Sequence, residues 1–265
     1  MGIKFGSYYP VESPVHRLDP RAKLLGVLLF LTGIFFVNKF WVFGCVYAFG
    51  LGALFLSRIP LMVALRTVRG LVVLLALTCL INMFFTPGEQ VLWEWGILRL
   101  TAEGLRRSGL MLLRLLALVV FSGLLTFTTT PIALSDGVES LCRPLKRFGF
   151  PVHEFAMMMT IALRFIPVLL EEADKIVKAQ RSRGGDMRSG SLSQRVNSIV
   201  AVIVPLLFNA LKRADDLAIA MEARAYTGGE GRVSLRELVW RGADTAALLV
   251  LGLFVGFLVA SHWLF

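Results

Sequence analysis

Leu71-Val72-Val73-Leu74-Leu75-Ala76-Leu77-Thr78-Cys79-Leu80-Ile81-Asn82-Met83-Phe84-Phe85 carries no charged side chain. A strand crossing a membrane alternates apolar and polar faces over about 10 residues, and this run does not alternate. It reads instead as a helix near the roughly 20 residues needed to cross a bilayer, spanning about Gly70–Thr86 and stopped by Pro87-Gly88. The rest of the chain agrees. Its 265 residues are 56% hydrophobic and 17% charged, with a mean hydropathy of +0.72. That is too little charge to cover a soluble surface. The fold class is all-α and polytopic.

Working outward, Leu24–Val37 and Trp41–Leu56 are two apolar runs joined only by Asn38-Lys39-Phe40, which implies a helical hairpin. A fourth span runs about Gly109–Thr128 and ends at Thr128-Thr129-Thr130-Pro131; a fifth covers about Ala243–Leu264. Trp93 and Trp95, between the third and fourth spans, suit a membrane–water boundary. Residues 1–23 are polar and broken by Pro10, Pro14 and Pro20, and no cleavable signal peptide is expected.

The net charge of +10 is placed asymmetrically. Segments 1–23, 57–70 and 131–242 hold 4, 3 and 16 of the lysines and arginines. The opposite connections hold only Lys39, Arg99, Arg106 and Arg107, and Arg114 lies within the fourth span. Basic flanks face the cytoplasm, so five spans with the N-terminus inside and the C-terminus outside are expected. The organisation is then 1–130 for the first four spans, 131–242 for a cytoplasmic insert and 243–265 for the last span. This charge orients a membrane protein and meets anionic lipid; no nucleic-acid module accompanies it.

The insert holds three helical pieces, about Ala133–Phe148, from after Pro151 to about Arg183, and about Leu192–Tyr226. The second places Phe155, Met158, Met159, Ala162, Phe165, Ile166 and Leu169 at helical spacing. The third does the same with Val196, Ile199, Val200, Ile203, Leu206, Leu207, Ala210 and Leu211. Both turn charged in their second halves, and both carry an internal proline, Pro167 and Pro205, where a kink is expected. Each ends in an arginine between small residues, Ser182-Arg183-Gly184 and Ala223-Arg224-Ala225, before Gly184-Gly185 and Gly228-Gly229. A guanidinium at a helix C-terminus gains about 0.3–1 kcal/mol from the dipole whatever its role. Two of them, at equivalent tips with small neighbours, point to docking in grooves lined with carboxylates or carbonyls.

Other chemistries fail on spacing. His16, His153 and His262 are scattered, so Glu171-Glu172 lacks the histidines of a metalloprotease. Met157-Met158-Met159 beside Phe155 reads as adaptable packing rather than a metal site. Cys45, Cys79 and Cys142 form neither a zinc nor a redox pattern. No glycine-rich phosphate loop is present. His16, Arg17, Asp19, Pro20 and Arg21 form a further element, expected to be an ion-paired turn against the insert.

These motifs together resemble the energy-coupling factor transporter T component, the EcfT/CbiQ family. The residues that carry the likeness are Ser13-Pro14-Val15-His16-Arg17-Leu18-Asp19-Pro20-Arg21-Ala22-Lys23-Leu24, Thr128-Thr129-Thr130-Pro131, Pro144-Leu145-Lys146 and Leu163-Arg164-Phe165-Ile166-Pro167. Ala179-Gln180-Arg181-Ser182-Arg183-Gly184 and Ala220-Met221-Glu222-Ala223-Arg224-Ala225-Tyr226 complete it. Ser182 stands where the family has alanine, and Ala225 where it has glycine.

The resemblance implies a non-catalytic membrane scaffold between two ATP-binding cassette subunits and a substrate-binding membrane S component, serving uptake of a vitamin or a transition-metal ion. It implies that Ser182, Arg183, Gly184, Ala223, Arg224 and Ala225 dock to the ATPases. It leaves ATP and magnesium to those partners, with no cofactor in this chain, and places the protein in the bacterial cell membrane. Phe155, Met158, Met159, Ala162, Ile166, Ile199, Ile203 and Leu207 are expected to receive the S component. The rivals are a stand-alone permease, for which Arg114 is the one charge deep in a span, and an intramembrane enzyme.

Overall fold

The computed structural model describes residues 8–88, 90–95, 98–184, 192–226 and 238–264. Along the chain these form α1 (Pro20–Ile34), α2 (Phe40–Ser57), α3 (Leu61–Phe85), β1 (Val91–Trp95), β2 (Leu98–Thr101), α4 (Ala102–Thr128) and α5 (Pro131–Cys142). A 3₁₀ turn (Arg143–Phe148), α6 (Val152–Ser182), α7 (Leu192–Glu222) and α8 (Gly242–Leu264) follow. The chain is all-α apart from the β1–β2 hairpin, as its composition implies. Gly185 and Gly228-Gly229, expected to stop the two long helices, lie outside the described residues.

Local chemistry sets the helix ends. Asp19 caps α1, its carboxylate accepting from the Arg21 amide, and Pro20 takes the first helical position where its missing N–H costs nothing. Thr101 Oγ1 accepts from the Gly104 amide and starts α4 at Ala102, well ahead of the expected Gly109. Arg106 and Arg107 are therefore exposed helical residues in the first turns of α4 rather than part of a loop. The β-hairpin fills most of the remaining connection. Pro131 opens α5, and α6 begins directly after Pro151. Pro167 and Pro205 sit inside α6 and α7, and each helix continues unbroken through its proline for 31 residues.

Among the described residues, six helices are long and apolar enough to cross a membrane: α2, α3, α4, α6, α7 and α8. This differs from the five expected spans in both directions. α1 has only 15 helical residues, about 22 Å at 1.5 Å per residue, short of the roughly 30 Å hydrocarbon core. The rest of its apolar run continues as tight turns, with Phe35, Phe36 and Val37 amides donating three residues back to Thr32, Gly33 and Ile34. α6 and α7 qualify because their charges are concentrated in their second halves, which leaves an apolar stretch of spanning length in each.

The chain divides into two compact units, Met1–Leu141 with Leu238–Phe265, and Cys142–Glu237. In the first, α4 packs against α1, α2 and α3, and α8 packs on α1. Its core holds Phe30, Ile34, Val42, Phe43, Val46, Ala117, Phe121 and Leu258, with Phe30 and Phe121 stacked at 3.5 Å. A second cluster, Leu54, Ile59, Ala64 and Phe127, fixes the turn from α2 into α3.

The α1–α8 approach depends on Gly33, where a Cβ would stand 2.7 Å from Val255 Cγ1. Gly33→Leu should force the two helices apart and destabilise the unit by about 1–3 kcal/mol, the usual cost of overpacking. The midpoint of thermal unfolding in micelles measures this, and an unchanged midpoint would refute the tight approach.

In the second unit α6 and α7 run antiparallel. Gln180 Nε2 donates to the Ala201 carbonyl at 3.1 Å, and Asn209 Nδ2 to Glu172 Oε1 at 2.6 Å. At the other end Tyr226 Oη meets Met157 Sδ at 3.0 Å. Arg213 pairs with Glu172 at 3.5 Å. Together these contacts set the register of the pair.

Candidate functional site

Each long helix closes on an arginine in the same conformational slot. In α6, Arg183 is the C-cap residue, and Gly184 follows in the left-handed region at φ +86°. The Gly184 amide donates to the Arg181 carbonyl. In α7, Arg224 holds the equivalent place before Ala225 at φ +53°. The Ala225 amide donates to Glu222 O and the Tyr226 amide to Met221 O, the paired bonds of a Schellman cap. A left-handed residue turns the chain sharply away and leaves the preceding arginine at the helix end. Both guanidinium groups are exposed, and neither has an ion-pair or hydrogen-bond partner among the described residues.

The antiparallel register puts these tips at opposite ends of the pair. Tyr226 reaches Met157, which precedes Arg183 by 26 residues of the sequence, so the tips lie about 40 Å apart along the helix axes at 1.5 Å per residue. Whatever binds both must offer two sockets with that spacing.

The two tips differ in strain. Left-handed backbone costs an L-residue roughly 1–2 kcal/mol and glycine nearly nothing. Gly184 meets the demand, whereas Ala225 takes up the left-handed turn despite its Cβ. Ala225→Gly should therefore stabilise the α7 cap by about 1 kcal/mol without disturbing Arg224. Hydrogen exchange at the Ala225 and Tyr226 amides reads this out. Faster exchange in the variant would contradict it.

The expected receiving face is open. Phe155, Met158, Met159 and Ala162 on α6 are exposed, as are Ile199, Ile203 and Leu207 on α7, while Ile166 is half-buried. Val152, Ala156 and Val202 are buried.

The N-terminal motif is assembled in the first unit. His16 shares a hydrogen bond with Ser13 Oγ at 2.7 Å and another with the Tyr9 carbonyl at 3.0 Å. Arg17 pairs with Glu12 at 3.0 Å, and Arg21 Nε stands 3.9 Å from Asp19. Pro20 lies close to Gly137 of α5, where a Cβ would meet it at 3.1 Å. This contact is with α5, the part of segment 131–242 that belongs to the first unit.

The strongest ties lead elsewhere. Asp244, at the start of α8, accepts from the Asp19 amide at 2.7 Å and from the Arg241 amide at 2.7 Å. Lys23 donates to the carbonyls of His16 and of Thr128, the last residue of α4. Burial pushes the Lys23 ammonium down to about 8, against the opposing pull of Asp244 and Asp19. Lys23 and Asp244 are residues that reading the sequence missed. Lys23 looks like a flanking charge, and Asp244 lies more than 200 positions away from it. A lone acid opening an apolar helix was the only available signal.

Arg114 also finds a structural explanation. Its guanidinium donates to the Val37 carbonyl at 2.8 Å and to Asn38 Oδ1 at 3.2 Å, and lies over the Phe35 ring. It satisfies the backbone where α1 unwinds. The one charge on which the permease reading relies is thus engaged with the segment after α1.

Residues 11–235 match the family described as cobalt transport protein, CbiQ. The chain is 47% identical over 254 residues to the energy-coupling factor transporter transmembrane protein EcfT of Acidaminococcus fermentans, covering 96% of this chain and 94% of the relative. It is 48% identical to that of Heliobacterium modesticaldum, covering 96% and 95%, and 43% identical to that of Bacillus subtilis, covering 93% of each. The chain belongs to the EcfT/CbiQ family. As a member it is a multi-pass transmembrane component of an energy-coupling factor transporter, and the motifs at residues 13–24, 179–184 and 220–226 fall within the matched region.

Proposed function

We propose that this EcfT/CbiQ family member couples two ATP-binding cassette subunits to a substrate-binding membrane S component, for uptake of a vitamin or a transition-metal ion. The observation that carries this reading is the pair of exposed arginines, Arg183 and Arg224, without partners among the described residues and in matched C-cap slots at opposite ends of one antiparallel helix pair. A guanidinium offers five donors in a rigid fork, suited to carboxylates or carbonyls inside a groove. Ser182, Gly184, Ala223 and Ala225 are small enough to follow each arginine in. Two like subunits closing on ATP would displace the two tips together, and the hydrogen-bonded pair would carry that displacement along its length.

ATP and magnesium belong to the partner subunits in this reading, and this chain itself is non-catalytic. The protein sits in the bacterial cell membrane with residues 1–23 and the coupling segment 131–242 on the cytoplasmic side. The apolar face of Phe155, Met158, Met159, Ala162, Ile166, Ile199, Ile203 and Leu207 receives the S component.

Met158→Glu tests the division of labour. Met158 is 59% exposed, so a carboxylate there costs the fold little. Buried in an apolar interface without a partner, the same carboxylate costs several kcal/mol. Co-purification should lose the S component while the ATPases remain bound. Retention of both partners would reject this face as the landing surface.

A further inference from the structure

At one end of the first unit, a cleft of about 450 Å³ is lined by Glu12, Ser13, Arg17, Arg58, Arg241 and Asp244. We propose that it binds the phosphate headgroup of an anionic phospholipid, held by Arg58 and Arg241.

The charges in the cleft are unevenly committed. Glu12 is paired with Arg17 at 3.0 Å. Asp244 is buried, with both carboxylate oxygens accepting backbone amides and the Lys23 ammonium nearby. Arg58 and Arg241 are exposed, and neither side chain has a partner among the described residues. Two spare guanidinium groups therefore face one concavity whose acids are already neutralised. Guanidinium pairs suit the tetrahedral oxygens of a phosphodiester.

The backbone holds both arginines in place. Arg58 caps α2 at φ +54°, a left-handed conformation that a bulky side chain adopts at a cost. Buried Ser57, whose hydroxyl donates to the Leu54 carbonyl, and buried Ile59 fix it on either side. Arg241 is fixed through its amide by Asp244.

The surroundings favour a lipid over a free anion. Phe55, Leu56, Leu61 and Met62, immediately around Arg58 in sequence, are exposed apolar side chains at the ends of spanning helices. Trp240 is exposed beside Arg241, its indole N–H donating to Thr245 Oγ1 at 2.8 Å. Tryptophan at the foot of a spanning helix marks the headgroup level. A headgroup between the two arginines would leave its acyl chains against this apolar collar.

Native mass spectrometry of the full chain, purified in detergent with added phosphatidylglycerol or phosphatidylcholine, tests the proposal. The wild type should retain phosphatidylglycerol selectively. Arg58→Gln with Arg241→Gln should lower that retention about tenfold or more, as expected for the loss of two charge-assisted contacts. Arg106→Gln with Arg107→Gln, which removes the same charge elsewhere, should leave it unchanged. Arg241→Gln alone, at an ordinary backbone position, should give a partial loss, and elution volume reports folding of each variant. Equal retention by all variants, or equal loss in the Arg106 and Arg107 control, would overturn the site. Displacement of the lipid by millimolar inorganic phosphate would identify a free-anion site and overturn the lipid reading.

Discussion

Reversing both tip charges, Arg183→Glu with Arg224→Glu, should abolish uptake and release the ATPase subunits while leaving the chain folded and in the membrane. The two halves of that outcome have separate causes. Both side chains are exposed and have no partner among the described residues, so their reversal removes no contact within them. A carboxylate at a helix C-terminus loses the dipole contribution of about 0.3–1 kcal/mol and incurs a similar penalty, too little to unfold a 31-residue helix. Inside a groove built to accept a guanidinium, the same change swaps attraction for repulsion at a desolvated contact. Truncating a hot-spot arginine typically costs 2 kcal/mol or more of binding energy, and reversal should cost more. Either single reversal should leave one tip engaged, giving partial ATPase retention and little transport, because motion must enter at both ends of the pair. Co-purification and uptake by reconstituted vesicles are the measurements. Full uptake by the double variant would refute the docking role.

The tips were legible in the sequence because helix endings are local chemistry. Pro151 precedes α6 and Gly184 turns the chain away at its end, α7 closes on Ala225, and both helices end within a few residues of the expected positions. The same locality explains what was missed. α4 begins at Ala102 through one threonine hydroxyl at Thr101, a cap that the nearby arginines obscured. The strands at 91–95 and 98–101 alternate too briefly to stand out beside tryptophans that also suit an interface. That the tips lie at opposite ends of an antiparallel pair follows from contacts such as Gln180 with Ala201, which no periodicity contains. Sequence alone leaves Arg114 a charge inside a span, because its partner, the Val37 carbonyl, is 77 residues away in the chain.

Asp244→Ala should be the most damaging single change to the fold of the first unit. Its carboxylate is 1% exposed, accepts two backbone amides and offsets the Lys23 charge. Removing it orphans the Asp19 amide and leaves a buried ammonium short of one of its two acidic neighbours. Leaving a buried donor unsatisfied typically costs about 1–3 kcal/mol, and the lost attraction to Lys23 adds to that. The pH dependence separates this cause from simple loss of packing. Lys23 is pushed below its ordinary value of 10.5 to about 8 in the folded chain, so the unfolded chain binds more protons between those values. Wild-type stability should therefore rise as pH increases from about 8 towards 10.5 and change little below 8 on account of this group. Without Asp244 the folded value drops further, and the rise should begin at a lower pH. Lys23→Met in the Asp244→Ala background removes the stranded charge, and should recover part of the loss and flatten the alkaline rise. Thermal midpoints in micelles across this pH range are the measurement. A double variant no more stable than Asp244→Ala, with the same pH profile, would show that Asp244 acts only through its backbone contacts.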